Sequence, residues 1–106
     1  MSRQIRVLPM AKSDLRRIAE IIQVRISFAS SKKWRLLIQT AINDLADSAE
    51  TYPEAHEAKL LGRDIRMKLV GKRAQIYRIL FTFTDNEVIV HRIRHAAQDY
   101  LTEDEL

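Results

Sequence analysis

The sequence contains no cysteine and only two glycines, and both shortages exclude kinds of functional site. Without cysteine there can be no disulfide, no thiolate metal ligand and no cysteine nucleophile. With Gly62 and Gly71 as its only glycines, the chain cannot form a phosphate-binding P-loop or a dinucleotide-binding fingerprint. It also lacks the G-x-S-x-G motif of serine hydrolases. Any function must therefore come from charged or polar side chains that the fold brings together.

Long hydrophobic runs are absent as well. No apolar stretch approaches the roughly 20 residues that a membrane-spanning helix needs. The first residues, MSRQIRVLPM, lack the apolar core of a signal peptide. With 106 residues, 46% of them hydrophobic and 30% charged, the chain has the size and composition of one folded domain. We therefore expect a single domain over residues 1–106, located in the cytoplasm, with no membrane partner.

Charge is segregated along the chain, whose formal net charge is +4. Residues 36–58 contain no Lys or Arg, whereas residues 59–78 contain seven basic residues and one acid, Asp64. The last residues, 99–106, are acidic again, and the sequence leaves open whether this tail is ordered or flexible. Such segregation predicts a basic face that meets nucleic acid or an acidic peptide. The alternative is a solvated basic surface without a ligand.

Hydrophobic periodicity predicts two helices after a short strand. Residues 3–8 read as a β-strand that a proline ends. Apolar residues spaced by three and four then indicate a helix from Ala11, a break at residues 28–31, and a second helix that stops near Glu50. Their apolar stripes are Leu15, Ile18, Ala19, Ile22 and Ile26 in the first helix, and Trp34, Leu37, Ile38, Ala41, Ile42 and Leu45 in the second.

The second half of the chain predicts a sheet. Residues 52–62 read as a loop, and residues 64–70 alternate between apolar and basic side chains. Residues 76–95 read as two strands joined by a turn at Asp85–Asn86, because Asp and Asn tolerate positive φ. The prediction is an α+β fold with the order β-α-α-β-β-β. A helical hairpin packs on one face of a small, mainly antiparallel sheet.

A two-residue turn at Asp85–Asn86 also predicts the register of the hairpin. It pairs Phe81 with Val90 and Ile79 with Arg92 on the helix side, where Arg92 and Arg94 are expected at the periphery. The other, helix-free side is then expected to carry five groups that are, or can become, cationic: Arg66, Lys68, Arg78, His91 and His95.

Such a cluster suits the chemistry of phosphates. Arginine binds phosphate oxygens through two parallel hydrogen bonds, and histidine transfers protons near neutral pH. Cleavage of RNA would also need a general base, and no acid is clearly placed to supply one. His91 and His95 lie roughly 13 Å apart on a strand, too far to share a metal ion, so no metal and no cofactor is predicted. A purely structural role remains the alternative, favoured for His91, whereas the apolar neighbours of Arg78 favour a function.

The strings GKRAQIYRILFTF and NEVIVHRIRHAAQD resemble the closing strands of the RelE/ParE toxins of bacterial type II toxin–antitoxin modules. The string VLPMAKSDLRRIAEII resembles the first strand and helix of the same family, and the element order agrees. The resemblance implies a small toxin that a cognate antitoxin neutralises by wrapping around it. RelE-type members cut mRNA in the ribosome, whereas ParE-type members inhibit DNA gyrase without cleaving nucleic acid.

Within this resemblance, Arg78 matches an arginine that ribonuclease members use on phosphate. Arg66 and Lys68 match the preceding basic strand, and His95 aligns with a histidine near the chain end of some members. If the chain is a ribonuclease, Arg78 and His95 are its catalytic candidates. Ala96–Ala97 stand, however, where ribonuclease members often have a functional tyrosine, and the R-H-x-x-Q-D ending is common in ParE-type members.

Three functions therefore stay open. The favoured one is a ParE-like inhibitor of DNA gyrase. The alternatives are a ribosome-dependent mRNA endoribonuclease and a non-toxic module that only binds an antitoxin. Whether the chain is an enzyme is undecided, and both a homodimer and a toxin–antitoxin hetero-oligomer are compatible with the sequence.

Overall fold

The computed structural model describes residues 2–98 and 100–106, so Met1 and Asp99 lie outside the described residues. Its elements follow the predicted order, with one additional short helix. They are β1 (Gln4–Val7), α1 (Pro9–Arg25), α2 (Phe28–Ser48), α3 (His56–Leu61), β2 (Arg66–Lys72), β3 (Gln75–Phe83) and β4 (Glu87–His95), with short 3-10 turns at Ala49–Thr51 and Glu103–Glu105.

The strands form one sheet in the order β1-β4-β3-β2. β1 runs parallel to β4, whereas β3 is antiparallel to both of its neighbours. Helices α1 and α2 pack on one face of this sheet, which we call the helical face. The predicted α+β fold with a mainly antiparallel sheet is therefore confirmed.

The break between the two long helices lies earlier than expected. α1 ends at Arg25 and α2 already begins at Phe28, so the predicted break at residues 28–31 is wrong. The reason is Ser27, whose side-chain oxygen accepts a hydrogen bond from the backbone N–H of Ser30 at 3.0 Å. Such an N-cap satisfies an amide that the first turn of a helix leaves without a partner, and so fixes the start of α2.

The core on the helical face follows the predicted stripes closely. Trp34 of α2 meets Tyr77 of β3 edge to face, with 5.2 Å between ring centroids, and Phe81 is fully buried. Two stripe members do not join this core, because Ile26 lies past the end of α1 and is 64% exposed, and Leu37 is 47% exposed. Both belong to a set of apolar side chains that the helical hairpin exposes to solvent.

The opposite face of the sheet, called the second face below, is not free of helix. Residues 52–62 were expected to be a loop, but they contain α3, which ends at Gly62 in the left-handed conformation with φ of 64°. α3 and the C-terminal segment cover a second apolar cluster, which consists of Ala55, Ala58, Ile65, Leu80 and Leu101. The expectation of a helix-free side is therefore wrong.

A β-bulge changes the register of the central hairpin. Near the turn the pairs are as predicted, with Phe81 opposite Val90. The register then shifts, so that Ile79 pairs with Ile93 rather than with Arg92. The extra residue on β4 is His91, and every later side chain of β4 points to the face opposite to the expected one. Periodicity alone could not reveal the bulge, since both strands keep their alternation on either side of it.

The two glycines provide a matched test of the turn geometry. A Cβ at Gly71, where φ is 113°, would lie 2.0 Å from the backbone oxygen of Gln75, whereas a Cβ at Gly62 would meet nothing within 4 Å. We expect Gly62→Ala to lower the free energy of unfolding by about 1–2 kcal/mol, the cost of a left-handed residue. Gly71→Ala should cost at least about 3 kcal/mol, since strain and overlap add. Urea denaturation of both variants measures this, and equal losses would contradict the geometry.

Candidate functional site

Arg78, the arginine that sequence reasoning favoured most, lies buried in an ion pair. Its guanidinium donates two hydrogen bonds to the carboxylate of Glu57 on α3, one of them 2.9 Å long. Arg78 is 5% exposed and Glu57 is fully buried. The backbone N–H of Leu101 donates a further bond to Glu57 at 3.0 Å. The guanidinium of Arg78 is therefore engaged inside the protein rather than presented to a phosphate.

The environment of Glu57 keeps this acid ionised. Burial opposes its ionisation, but the hydrogen bonds from Arg78 and from the backbone of Leu101 outweigh that effect and hold the pKa of Glu57 below its usual value. A carboxylate that accepts several hydrogen bonds in a dry site is a poor general base, because its proton affinity is reduced. Glu57 thus does not supply the base that the sequence lacked.

Arg92 forms a second buried pair, at the edge of the sheet. Its Nε and Nη2 donate to the carboxylate of Asp14 at 2.8 and 3.0 Å, and the same carboxylate accepts the backbone N–H of Ile93 at 3.0 Å. β1 ends at Val7, opposite Val90, so β4 continues past its neighbour and leaves this N–H without a strand partner. Asp14 of α1 fills that place. The hydrogen bonds that Arg92 donates to Asp14 raise the pKa of Arg92.

Arg94 lies beside Arg78 on the second face and contacts the C-terminal segment. Its Nη1 donates to the carboxylate of Glu105 at 3.1 Å, and Arg92 donates to the backbone oxygen of Glu105 at 2.7 Å. Both arginines were expected at the periphery of the helical side. That expectation is wrong because the bulge at His91 turns them to the second face, where they are nearly buried.

Arg66 and Lys68 point to the helical face. Arg66 donates to the backbone oxygen of Tyr52 at 2.8 Å, and the Nζ of Lys68 donates to the backbone oxygen of Ala41 in α2 at 2.9 Å. Lys68 also lies 5.1 Å from the ring centroid of Tyr52. Both side chains are half-buried and fix the edge strand β2 against α2 and the loop before α3.

The two candidate histidines, His91 and His95, occupy different faces, and both use ring nitrogens within the protein. His91 in the bulge shares a 2.9 Å hydrogen bond with the hydroxyl of Thr82. Burial, followed by the nearby charges of Arg63 and Arg6, lowers the pKa of His91, so its ring is neutral at pH 7.

His95 is held between backbone groups on the helical side. Its Nδ1 accepts the N–H of Ala97 at 3.0 Å, which leaves Nε2 as the donor to the backbone oxygen of Ala74 at 2.7 Å. The ring also packs edge-on against Tyr77, with 5.1 Å between centroids. In this arrangement neither nitrogen is available for proton transfer to a ligand.

The prediction that five cationic groups share one surface is therefore wrong. Arg78 and His91 lie on the second face, whereas Arg66, Lys68 and His95 lie on the helical side. Sequence reasoning missed the acids that neutralise the arginines. Asp14 carried a signal, since it falls in the buried stripe of α1 between Ala11 and Ile18. Glu57 carried none, because the short helix that holds it was read as a loop.

Clefts border the helical hairpin in the described part of the chain, and two of them also reach residues of the sheet or its turn. One, of about 320 Å³, lies between α1 and the end of the sheet, with Arg17, Arg25, Tyr77 and His95 in its wall. The other, of about 800 Å³, lies between α2 and the β2–β3 turn and is lined partly by Trp34, Leu36 and Leu37.

Among residues 2–98 and 100–106 there is no group of acids and histidines that could hold a metal ion. Within the same residues no helix has the length and apolar character needed to cross a membrane.

The buried pair predicts unequal effects of two substitutions at Arg78. Arg78→Ala leaves the charge of Glu57 buried without its partner, and we expect a loss of about 3–5 kcal/mol in the free energy of unfolding. The double variant Glu57→Gln/Arg78→Met removes both charges and keeps an acceptor for the N–H of Leu101. It should lose less than half as much, because apolar replacements of buried ion pairs are often tolerated. Thermal and urea unfolding measure the stability of both variants. A double variant less stable than Arg78→Ala would refute this account.

The lowered pKa of Glu57 predicts how stability depends on pH. An acid whose pKa is lower in the folded protein stabilises it fully above the unfolded pKa of about 4.3. That contribution is lost as pH falls through the folded pKa. We expect Glu57→Gln to be less stable than the wild type at pH 7, and the difference to shrink steadily below about pH 4.3. Urea unfolding at pH 7, 5, 4 and 3 measures it, and a gap independent of pH would contradict the assignment.

Comparison with known proteins agrees with the fold. The sequence profile of the family described as "ParE toxin of type II toxin-antitoxin system, parDE" matches residues 5–100. A chain of the solved structure described as "Chromosomal ParDE TA system from P. aeruginosa" is similar with a TM-score of 0.71. The two are 17% identical, and the similarity covers 89% of this chain and 96% of that chain. No curated protein matches. Because the family profile spans nearly the whole sequence, the chain belongs to the ParE toxin family of type II toxin–antitoxin systems.

Proposed function

We propose that this ParE-family toxin arrests growth by binding and inhibiting DNA gyrase, without chemistry of its own, and that a cognate antitoxin neutralises it in the cytoplasm. The observation that carries the first part is the burial of Arg78 against Glu57. A ribonuclease built on this arginine would have to present its guanidinium to a phosphate. Here the same guanidinium holds α3 onto the sheet, which supports a structural role.

The histidines support the same proposal. His95 uses both ring nitrogens on backbone groups, and His91 is neutral and bonded to Thr82. Chemistry at a 2′-hydroxyl needs an acid and a base within reach of one atom. The candidate residues are instead spread over two faces of the sheet. A protein that acts by binding has no such requirement.

The helical hairpin offers a surface that fits protein partners. It exposes large apolar side chains near the α1–α2 connection and along α2, and such side chains can supply contacts to a protein partner. These side chains are Ile21, Val24, Ile26, Phe28, Leu36 and Leu37. Exposed basic residues lie among them, including Arg25 and Lys33. Apolar side chains and positive charges on the same helices favour an acidic, amphipathic partner segment, the chemistry expected of an antitoxin that folds on binding.

We assign different roles to the residues that the sequence predicted to bind a target or a phosphate. Arg66 and Lys68 border the helical face and are proposed to contact a partner through their exposed parts. Arg78 and His95 are proposed to act as structural residues, and His91 is proposed to stabilise the bulge. Assembly, as a homodimer or as a toxin–antitoxin hetero-oligomer, belongs to the same proposal, because it depends on which partner binds.

Supercoiling by purified DNA gyrase tests the proposal directly. We expect the wild-type chain to inhibit supercoiling, and Glu57→Gln/Arg78→Met to inhibit it within about threefold, since the pair holds the fold and touches no target. Mapping of mRNA 5′ ends after brief induction in bacteria provides the second readout. Intact messages with arrested growth are expected.

The contrary outcomes identify the alternatives. New 5′ ends that depend on translation, and that disappear with the double variant, would make the chain a ribosome-dependent endoribonuclease. The 320 Å³ cleft beside His95, whose wall contains Arg17, Arg25 and Tyr77, would then be the place to search for its site. A folded chain that neither arrests growth nor inhibits gyrase would be a non-toxic, antitoxin-binding module.

A further inference from the structure

The C-terminal segment, residues 100–106, lies on the second face like a bound peptide. Leu101 is 2% exposed and enters the apolar cluster formed by Ala58, Ile65 and Leu80, and Leu106 packs against the same cluster. Both leucines come from a segment that forms no strand pairing with the sheet and contains only one short 3-10 turn. The two side chains are the apolar anchors of this segment.

Polar contacts fix the orientation of the segment between these anchors. The carboxylate of Glu105 accepts a hydrogen bond from Arg94, and the backbone oxygen of Glu105 accepts one from Arg92. At the other end, the N–H of Leu101 donates to the buried carboxylate of Glu57. The strip of the second face beneath the segment, called the groove below, therefore carries guanidinium donors at one end and a carboxylate acceptor at the other.

The aromatic ring of Tyr100 completes the contact. It stacks on the imidazole of His56, with 4.0 Å between centroids and an interplanar angle of 16°, and the guanidinium of Arg78 lies 5.4 Å from its centroid. Tyr100 nevertheless remains 50% exposed. Because the ring is half in solvent and stacks on a surface histidine, this contact can open without disturbing the core.

The segment also carries its own local shape. The carboxylate of Glu105 accepts hydrogen bonds from both the backbone N–H and the hydroxyl of Thr102. This capping box fixes the local conformation of residues 102–105 through contacts within the segment. The residues that receive the segment are fixed independently, since Arg92 is held by Asp14 and Arg78 by Glu57. The segment and the residues that receive it are thus each held by contacts of their own.

We propose that residues 100–106 are a displaceable internal ligand, and that the groove on the second face is a binding site for an acidic, leucine-bearing segment of a partner protein. The partner would place a leucine in the pocket of Leu101 and, four residues later, a carboxylate on Arg94. While the internal segment is docked, its high effective concentration keeps weak competitors out. The inference does not depend on gyrase being the target, because it concerns a face that the proposed contacts on the helical hairpin leave free.

The test uses full-length variants and a synthetic peptide, acetyl-YLTEDEL, that copies residues 100–106. Leu101→Ser/Leu106→Ser removes both anchors from the internal segment, and Leu60→Ser, at an exposed leucine of α3, is the matched control. Fluorescence anisotropy of the labelled peptide should give a Kd at least tenfold lower for the double variant than for the wild type or the control. A peptide with Lys in place of the glutamate that copies Glu105 should lose this binding.

Several outcomes would overturn the proposal. A folded double variant that does not bind the peptide, or that binds a single-stranded RNA oligonucleotide in its place, excludes an acidic-peptide site. A double variant that unfolds shows that the segment is part of the core. Hydrogen exchange of the wild type decides the same point without substitution: the amide of Leu101 should exchange at least tenfold faster than that of Ile93, which is bonded to Asp14. Equal rates would mean that the segment opens only on global unfolding.

Discussion

The buried ion pair between Arg78 and Glu57 is the interaction on which the second face of the sheet depends. Neither charge could remain in this apolar cluster alone, since an unpaired buried charge costs several kcal/mol. Because the two carboxylate oxygens of Glu57 take both guanidinium bonds and the N–H of Leu101, one acid links three elements: α3, β3 and the C-terminal segment. The six-residue α3 is too short to be stable by itself, so its position on the sheet is set largely by this link.

The bulge at His91 determines which charges meet. Without it, the alternation of β4 would direct Arg92 and Arg94 toward the helical face. With it, Arg92 reaches Asp14 at the open edge of β4, and Arg94 reaches Glu105 over the second face. One inserted residue thus converts a strand that reads as a basic surface into a strand whose arginines are neutralised inside the protein. Bulges commonly redirect side chains in this way, and here the redirected side chains are structural.

Patterns that repeat along the sequence predicted their part of the fold correctly, whereas features that depend on one or two residues were missed. Helical stripes and strand alternation gave the order of elements, the turn at Asp85–Asn86 and the pairing up to Phe81 with Val90, because each rests on several residues in register. The bulge, the N-cap at Ser27 and the short α3 each rest on one or two residues and leave no period to detect. The candidate site failed for several such local reasons. The bulge moved His95 to the helical side, the pairing of β2 with β3 placed Arg66 and Lys68 there, and Glu57 of α3 covers Arg78.

The failure of the site prediction changes where a partner is expected to bind. The net charge of +4 remains, but the guanidinium groups of Arg78, Arg92 and Arg94 are opposed by buried or nearby carboxylates and contribute little to the outer field. Most of the exposed positive charge comes instead from α1, α2 and the β2–β3 turn, where Lys12, Arg16, Arg25, Lys32, Lys33, Arg35, Lys72 and Arg73 lie at the surface. Arg6, Lys59 and Arg63 are exposed as well, outside these elements. The same helices expose the apolar side chains of the hairpin. Long-range attraction and short-range apolar contact therefore coincide on the helical side, which is the side that we propose for the first contact with an acidic partner.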